Sequence, residues 1–278
     1  MESAIEIRIP PFVLAAAMIT TMPKSVAITR AVSPGLGACE LTHLARVPID
    51  VDLARAQHRA YETALIDGGC LVERLDTSAD MPDSVFVEDI AIVFDELALI
   101  TRPGAESRRR ETSAVAGALA AYRTLHAIQP PGTVDGGDVL VVGRRVFVGR
   151  SSRTNEAAVV QMRHLLEPLG YTVTDTVVRG CLHLKSAVTA LAHDRLLVNR
   201  EWIDMATFDG FTLVDVDPAE PSAANALRLA DRIVLSASFP RTAGRVARAG
   251  LQTHLVEATE VAKAEGAVTC CSLIVSST

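Results

Sequence analysis

The chain has 278 residues, 49% of them hydrophobic, which suffices for a packed core and excludes a disordered chain. With 27 Lys and Arg against 33 Asp and Glu, the net charge of −6 argues against a sequence-independent grip on nucleic acid or on an anionic membrane. Aromatic residues, at 4%, are too few for base-stacking platforms, which leaves a globular enzyme or small-molecule binder.

Residues 1–24 read as a leader outside the fold, consistent with a start codon upstream of Met22. The apolar run 12–19 is too short to span a bilayer. Residues 1–11 carry two Glu and one Arg where a signal peptide needs net positive charge. Residues 25–278 show no linker-rich break and read as one catalytic domain. The five cysteines are odd in number and scattered, form no C-x-x-C, and include the adjacent Cys270 and Cys271, which cannot readily bridge. A reducing, cytoplasmic setting is expected.

From residue 89 onward one pattern recurs: an apolar strand, a tight charged turn, a second apolar strand, then an Arg beside polar residues. The instances are 89–94 with 97–101 and Arg102; 138–142 with 146–149 and Arg153; 186–191 with 196–198 and Arg200; and 225–229 with 233–235 and Arg241. The turns at 95–96, 143–145, 193–195 and 230–232 suit hairpins. Amphipathic stretches 107–122, 154–167 and 241–249 lie between the repeats and predict helices. A fifth unit assembles from both ends, 26–30 and 272–276. The α/β units recur every 40–50 residues or so, the range of radial or stacked arrays. They imply either a ring closed by the terminal strands or an open mixed sheet with helices on its faces.

Ionisable residues crowd the entrance to each first strand: Asp83, Glu88 and Asp89; Asp135 and Asp138; His183 and Lys185; Asn225; Cys270 and Cys271. Equivalent strand ends facing a common axis would gather them. Singly, each has a plain structural reading, since Asp and Asn often satisfy turn backbone and a His between two Leu is usually a core residue. Together, Cys, His and Asp form a coherent set: thiolate nucleophile, imidazole proton carrier and orienting carboxylate. Additional acids beside a thiolate would raise its pKa, which makes sense only if the substrate is a cation. Glu88 and Asp89 are therefore expected on the loop before the sheet, both bonded to a guanidinium. Arg102 and Arg153 occupy matching positions and suit a carboxylate clamp, so the expected ligand is an arginine derivative.

Asp83-Ser-Val-Phe-Val-Glu88-Asp89, Ile100-Thr-Arg102-Pro-Gly-Ala, Asp135-Gly-Gly-Asp138, Ser152-Arg153-Thr-Asn, Leu182-His183-Leu-Lys185 and Thr269-Cys270-Cys271-Ser272 carry a resemblance to the dimethylarginine dimethylaminohydrolases (dimethylargininases). It runs from about Ser25 to the C-terminus, with the motifs in order. The resemblance implies a five-bladed pseudosymmetric α/β propeller of the guanidine-modifying superfamily, its blades closed by the N- and C-terminal strands. It implies Cys270 as nucleophile, His183 as acid/base and Asp135 as the acid orienting it. It further implies Glu88 and Asp89 at the guanidinium, Asp83 at the amino-acid end, a backbone carbonyl offered by Ala264 ahead of the nucleophile loop, and Arg102 and Arg153 as the carboxylate clamp. Residues 31–46 correspond to a lid, with Leu41 as its substrate-covering residue, and Cys271 to packing. The implied reaction takes a methylated arginine to citrulline and amine through an S-alkylthiouronium on Cys270, with no cofactor; Zn²⁺ captured by Cys and His would inhibit. The alternatives are an arginine deiminase or another guanidino-group hydrolase or transferase of the same fold, or a non-catalytic binder. No macromolecular partner is expected, and monomer or homodimer stays open.

Overall fold

A computed structural model describes residues 25–276; the expected leader, 1–24, lies outside the described residues. Strand β1 (Ser25–Arg30) leads through a loop into α1 (Val51–Asp67), whose N-terminus is capped by the Asp50 carboxylate accepting from the Asp52 and Leu53 N–H groups. The helix returns the chain so that β2 (Cys70–Leu75) pairs parallel to β1. The second unit is a β3 (Ala91–Val93) and β4 (Leu97–Ile100) hairpin, helix α2 (Thr112–Leu119), and β5 (Thr124–Ala127) parallel to β4. The third repeats it with β6 (Val139–Val142), β7 (Arg145–Arg150), α3 (Glu156–Leu166) and β8 (Thr172–Val177).

In the fourth unit a one-turn helix, α4 (Leu184–Ala187), precedes β9 (Val188–Ala192) and β10 (Arg195–Val198), and β11 (Thr212–Asp215) follows parallel. The fifth has β12 (Ala226–Leu229), β13 (Arg232–Ser236), α5 (Pro240–Arg248) and β14 (Gln252–Val256). Pro240 opens α5, where its missing N–H costs nothing. After α6 (Thr259–Ala262) and a 3₁₀ turn (Thr269–Cys271), β15 (Leu273–Ser276) pairs antiparallel with β1, so the two chain ends share a sheet as expected. The result is five separate three-stranded sheets. Among the described residues no helix is long and apolar enough to cross a membrane.

The hydrophobic residues sort into five clusters, each packed between consecutive sheets. Ile28 and Leu273 meet Ala91 and Ala98; Ile92 and Leu99 meet Val139 and Val148; Leu140 and Phe147 meet Val188 and Leu196. Leu191 and Leu197 meet Ala226 and Ile233, and Leu229 and Val234 of the fifth sheet meet Ala27 and Cys70 of the first. Burying a side chain of this kind fully contributes about 1.5–3 kcal/mol, so the faces between sheets hold the units together.

Candidate active site

The ionisable residues sit, as expected, just ahead of the first strand of each unit, and short 3₁₀ or helical turns put them there. Val87–Ile90 precedes β3, Gly136–Asp138 precedes β6, α4 precedes β9 and Thr269–Cys271 precedes β15. Such a turn leaves successive side chains splayed instead of alternating across a sheet. Two glycines allow these turns to close on one another. A Cβ on Gly136 would lie 1.9 Å from the Glu88 carbonyl oxygen, and one on Gly137 would lie 2.5 Å from His183 Nδ1 and 2.8 Å from Asp89 Oδ1.

One small pocket gathers Cys270, His183, Asp135, Asp89, Asp83, Arg153 and Ala264, seven of the ten residues expected at the site. His183 Nε2 lies 3.2 Å from Asp135 Oδ2, and its Nδ1 faces Asp89 Oδ1 at 3.7 Å. Asp135 also accepts from the Gly104 N–H at 2.8 Å, and Asp89 from the Gly137 N–H at 3.1 Å. Arg153 donates to Thr42 Oγ1 at 2.9 Å, and Asp83 accepts the Glu40 N–H at 3.1 Å.

Three expected residues stand elsewhere. Glu88 is on the turn beside Asp89, but neighbours on a 3₁₀ turn point about 120° apart. Its carboxylate is taken by Lys185 Nζ at 2.6 Å and Thr269 Oγ1 at 2.7 Å, outside the pocket lining, so the two acids do not share one cation. Arg102 is tied by a backbone bridge to Val134 and donates to the Gly132 carbonyl at 3.3 Å. Leu41 packs on the core between the fifth and first sheets. Neither lines the pocket.

Burial opposes charge on His183, but Asp89 and the hydrogen bond to Asp135 outweigh it and lift the imidazole to about 9, so it is an imidazolium at neutral pH. Burial, then the charges of Glu88 and Asp89, push the Cys270 thiol well above its usual range, so it rests protonated. Cys271 is raised by the same causes. Despite burial, His183 and Arg108 hold Asp89 below the usual carboxylate range. Burial raises Asp83 to about 6.

The ligand atoms of Asp89, Asp135 and His183 fall within 4.8 Å of one another, near enough to meet a cation. In this structure they bond to protein groups instead: Asp89 to Arg108 and Gly137, Asp135 to Gly104 and His183.

Sequence reasoning missed Arg108 and Glu265. Arg108 is 5% exposed at its side chain and pairs with Asp89 at 2.6 Å and Glu111 at 3.0 Å, so the resting site carries its own cation. It opens the run Arg108-Arg109-Arg110, whose other two members are half-buried and exposed, and nothing local marks it. Asp138, noted only as an entrance acid, accepts from Ser151, Thr154 and the Leu184 N–H and so fixes the residue after His183.

A model of the family described as "N,N dimethylarginine dimethylhydrolase, eukaryotic" matches residues 46–231. The chain is 43% identical over 254 residues to the N(G),N(G)-dimethylarginine dimethylaminohydrolase of Streptomyces coelicolor, covering 91% of this chain and 97% of the relative. It is 36% identical to the enzyme of the same name from Pseudomonas aeruginosa, over 80% of this chain and 89% of the relative. A solved structure of the Pseudomonas aeruginosa protein, as a cysteine-to-serine mutant complexed with citrulline, superposes with a TM-score of 0.85 at 34% identity, covering 89% of this chain and 98% of that one. The N-terminal domain of a cyanobacterial arginine dihydrolase shares the fold, with a TM-score of 0.81 at 17% identity over 91% of this chain and 98% of that one.

Proposed function

The chain belongs to the dimethylarginine dimethylaminohydrolase family, and on that footing we propose that it hydrolyses Nω-methylated arginine to citrulline and methylamine or dimethylamine at Cys270. The observation that carries this reading is the convergence of Cys270, His183, Asp135 and Asp89, from four units of the chain, on one pocket. The five sheets are the blades of a propeller that β1 and β15 close; the cyclic succession of the five cores supports it. The five cysteines are free thiols, which suits the cytoplasm.

The guanidinium of the substrate docks against Asp89, while Arg153, Asp83 and the Ala264 carbonyl meet its amino-acid end. The cation lowers the Cys270 pKa as it arrives, and the thiol proton passes to solvent. The thiolate attacks the guanidinium carbon, forming a C–S bond. His183, already an imidazolium, gives its proton to the departing amine as the C–N bond breaks. The neutral imidazole then takes a proton from water, the hydroxide adds to the thiouronium carbon, and collapse expels the thiolate and leaves the ureido group of citrulline. Asp135 keeps the ring oriented throughout. No step calls for a metal, and Zn²⁺ entering the pocket would compete with these protons and inhibit.

A panel of arginine, monomethylarginine and asymmetric dimethylarginine, assayed for citrulline and amine with and without EDTA, tests the reading. Methylated substrates turn over faster than arginine, EDTA leaves the rates intact and Zn²⁺ lowers them. Faster release from unmodified arginine, or loss on chelation restored by metal, would overturn it.

A further inference from the structure

Helix α6 ends where glycine is the usual residue and carries glutamate instead. Gly266 N–H reaches back to the Val261 carbonyl at 2.9 Å and Glu265 N–H to Ala262 at 3.2 Å, the paired return bonds of a left-handed helix stop. The residue at that stop is Glu265, with φ +59°, a conformation its Cβ disfavours. Gly266, the next residue, is itself confined to glycine, because the Phe86 ring lies 2.2 Å from where its Cβ would stand. The strained turn sits in the pocket wall, five residues before Cys270.

What the glutamate does there is visible. Its carboxylate accepts three consecutive backbone N–H groups of the segment over the pocket: Thr42 at 2.9 Å, His43 at 2.5 Å and Leu44 at 2.6 Å. The other hydrogen bonds on that segment are Arg153 on Thr42 Oγ1, Asp83 on the Glu40 N–H, Ser107 on the Glu40 carboxylate, and Arg46 on the Gly37 and Cys39 carbonyls just ahead of it. Leu41 packs on the core at the start of the segment, but Leu44 is 50% exposed, so apolar packing does little to fix the residues beyond Leu41. A carboxylate collecting three main-chain donors makes charge-assisted bonds that a neutral residue cannot replace.

We propose that Glu265 is a positioning residue that latches the segment 40–46 to the nucleophile loop and so holds the cover over the amino-acid end of the substrate. Retaining glutamate at a glycine position is explained by that carboxylate. The latch acts on substrate retention and not on bond making, because Glu265 touches lid backbone and none of Cys270, His183 or Asp135. The proposal rests on the hydrolase reading only for its kinetic arm.

The test compares the native chain with Glu265→Gly and Glu265→Gln. Glycine relieves the left-handed strain, so the melting temperature of Glu265→Gly holds or rises. Its trypsin cleavage after Arg46, identified by peptide mass, speeds up at least tenfold, and its KM for methylated arginine rises about tenfold with kcat changed less than threefold. Glu265→Gln, which keeps one acceptor, falls between. Cleavage after Arg46 and KM both unchanged in Glu265→Gly would overturn the latch, as would a fall in melting temperature accounting for both. If turnover of methylated arginine is absent in the native chain, the cleavage and melting arms still decide the latch while the hydrolase reading fails.

Discussion

At the scale of single residues, two adjacent thiols stand in similar burial with opposite assignments. Cys270 lines the pocket; Cys271 turns away, its Sγ 3.6 Å from the Ala267 carbonyl, among core residues. Cys270→Ser should abolish citrulline release, because a hydroxyl is far harder to ionise than a thiol, while Cys271→Ser keeps turnover within about tenfold and costs mainly stability. A dead Cys271→Ser beside an active Cys270→Ser would identify the other sulfur as nucleophile. His183 makes a second prediction through linkage. Its folded pKa, about 9, stands above the unfolded value of 6.5, so its contribution to stability is complete below about pH 6.5 and is lost as pH rises through 9. The urea midpoint should therefore decline across that window in the native chain and flatten in His183→Gln; equal slopes would show the imidazole is not held charged. That Cys270, His183 and Asp135 would meet was legible in the sequence because the repeats place them at equivalent strand entrances. Arg108 and Glu265 were not, since their partners are 19 residues and more than 220 residues away along the chain and only the fold joins them.

At the scale of elements, the hairpins were legible to within a residue or two because both strands of each are apolar. The third, parallel strand of each unit was not. β5 reads Thr-Leu-His-Ala and β14 Gln-Thr-His-Leu-Val, edge strands largely open to solvent that carry no apolar alternation. Helix α1 escaped for a related reason: its buried face includes Gln57, His58 and Glu62, whose partners come from tertiary contacts such as Thr29 and Thr259. The turns before the strands, not the strands, hold the site, and the Asp135-Gly-Gly-Asp138 turn is the most tightly constrained. Gly137→Ala should drive a methyl into His183 and Asp89 and lower kcat/KM at least a hundredfold. Gly136→Ala strikes backbone instead and should cost about 1–3 kcal/mol of stability, as overpacking does. Circular dichroism melting with steady-state kinetics separates the two; a Gly137→Ala variant with native kinetics would mean that turn does not set the imidazole.

At the scale of the whole molecule, five hydrophobic cores pack the five units against one another, so that groups as distant as Asp89 and Cys270 reach a common pocket. The resting charge is balanced within that assembly: Arg108 answers Asp89, and Lys185 answers Glu88. The acids therefore do not wait unpaired for a substrate cation, as residue types alone had implied. In the proposed mechanism the assembly places a thiol against a guanidinium carbon beside an imidazolium. The most direct test is to quench the enzyme in acid during turnover of asymmetric dimethylarginine and read the peptide containing Cys270 by mass spectrometry. The account predicts an adduct on Cys270 with the mass of the substrate less dimethylamine, disappearing as citrulline accumulates and absent from Cys270→Ser. Citrulline formation with no adduct on Cys270 and undiminished rates in Cys270→Ser would contradict it.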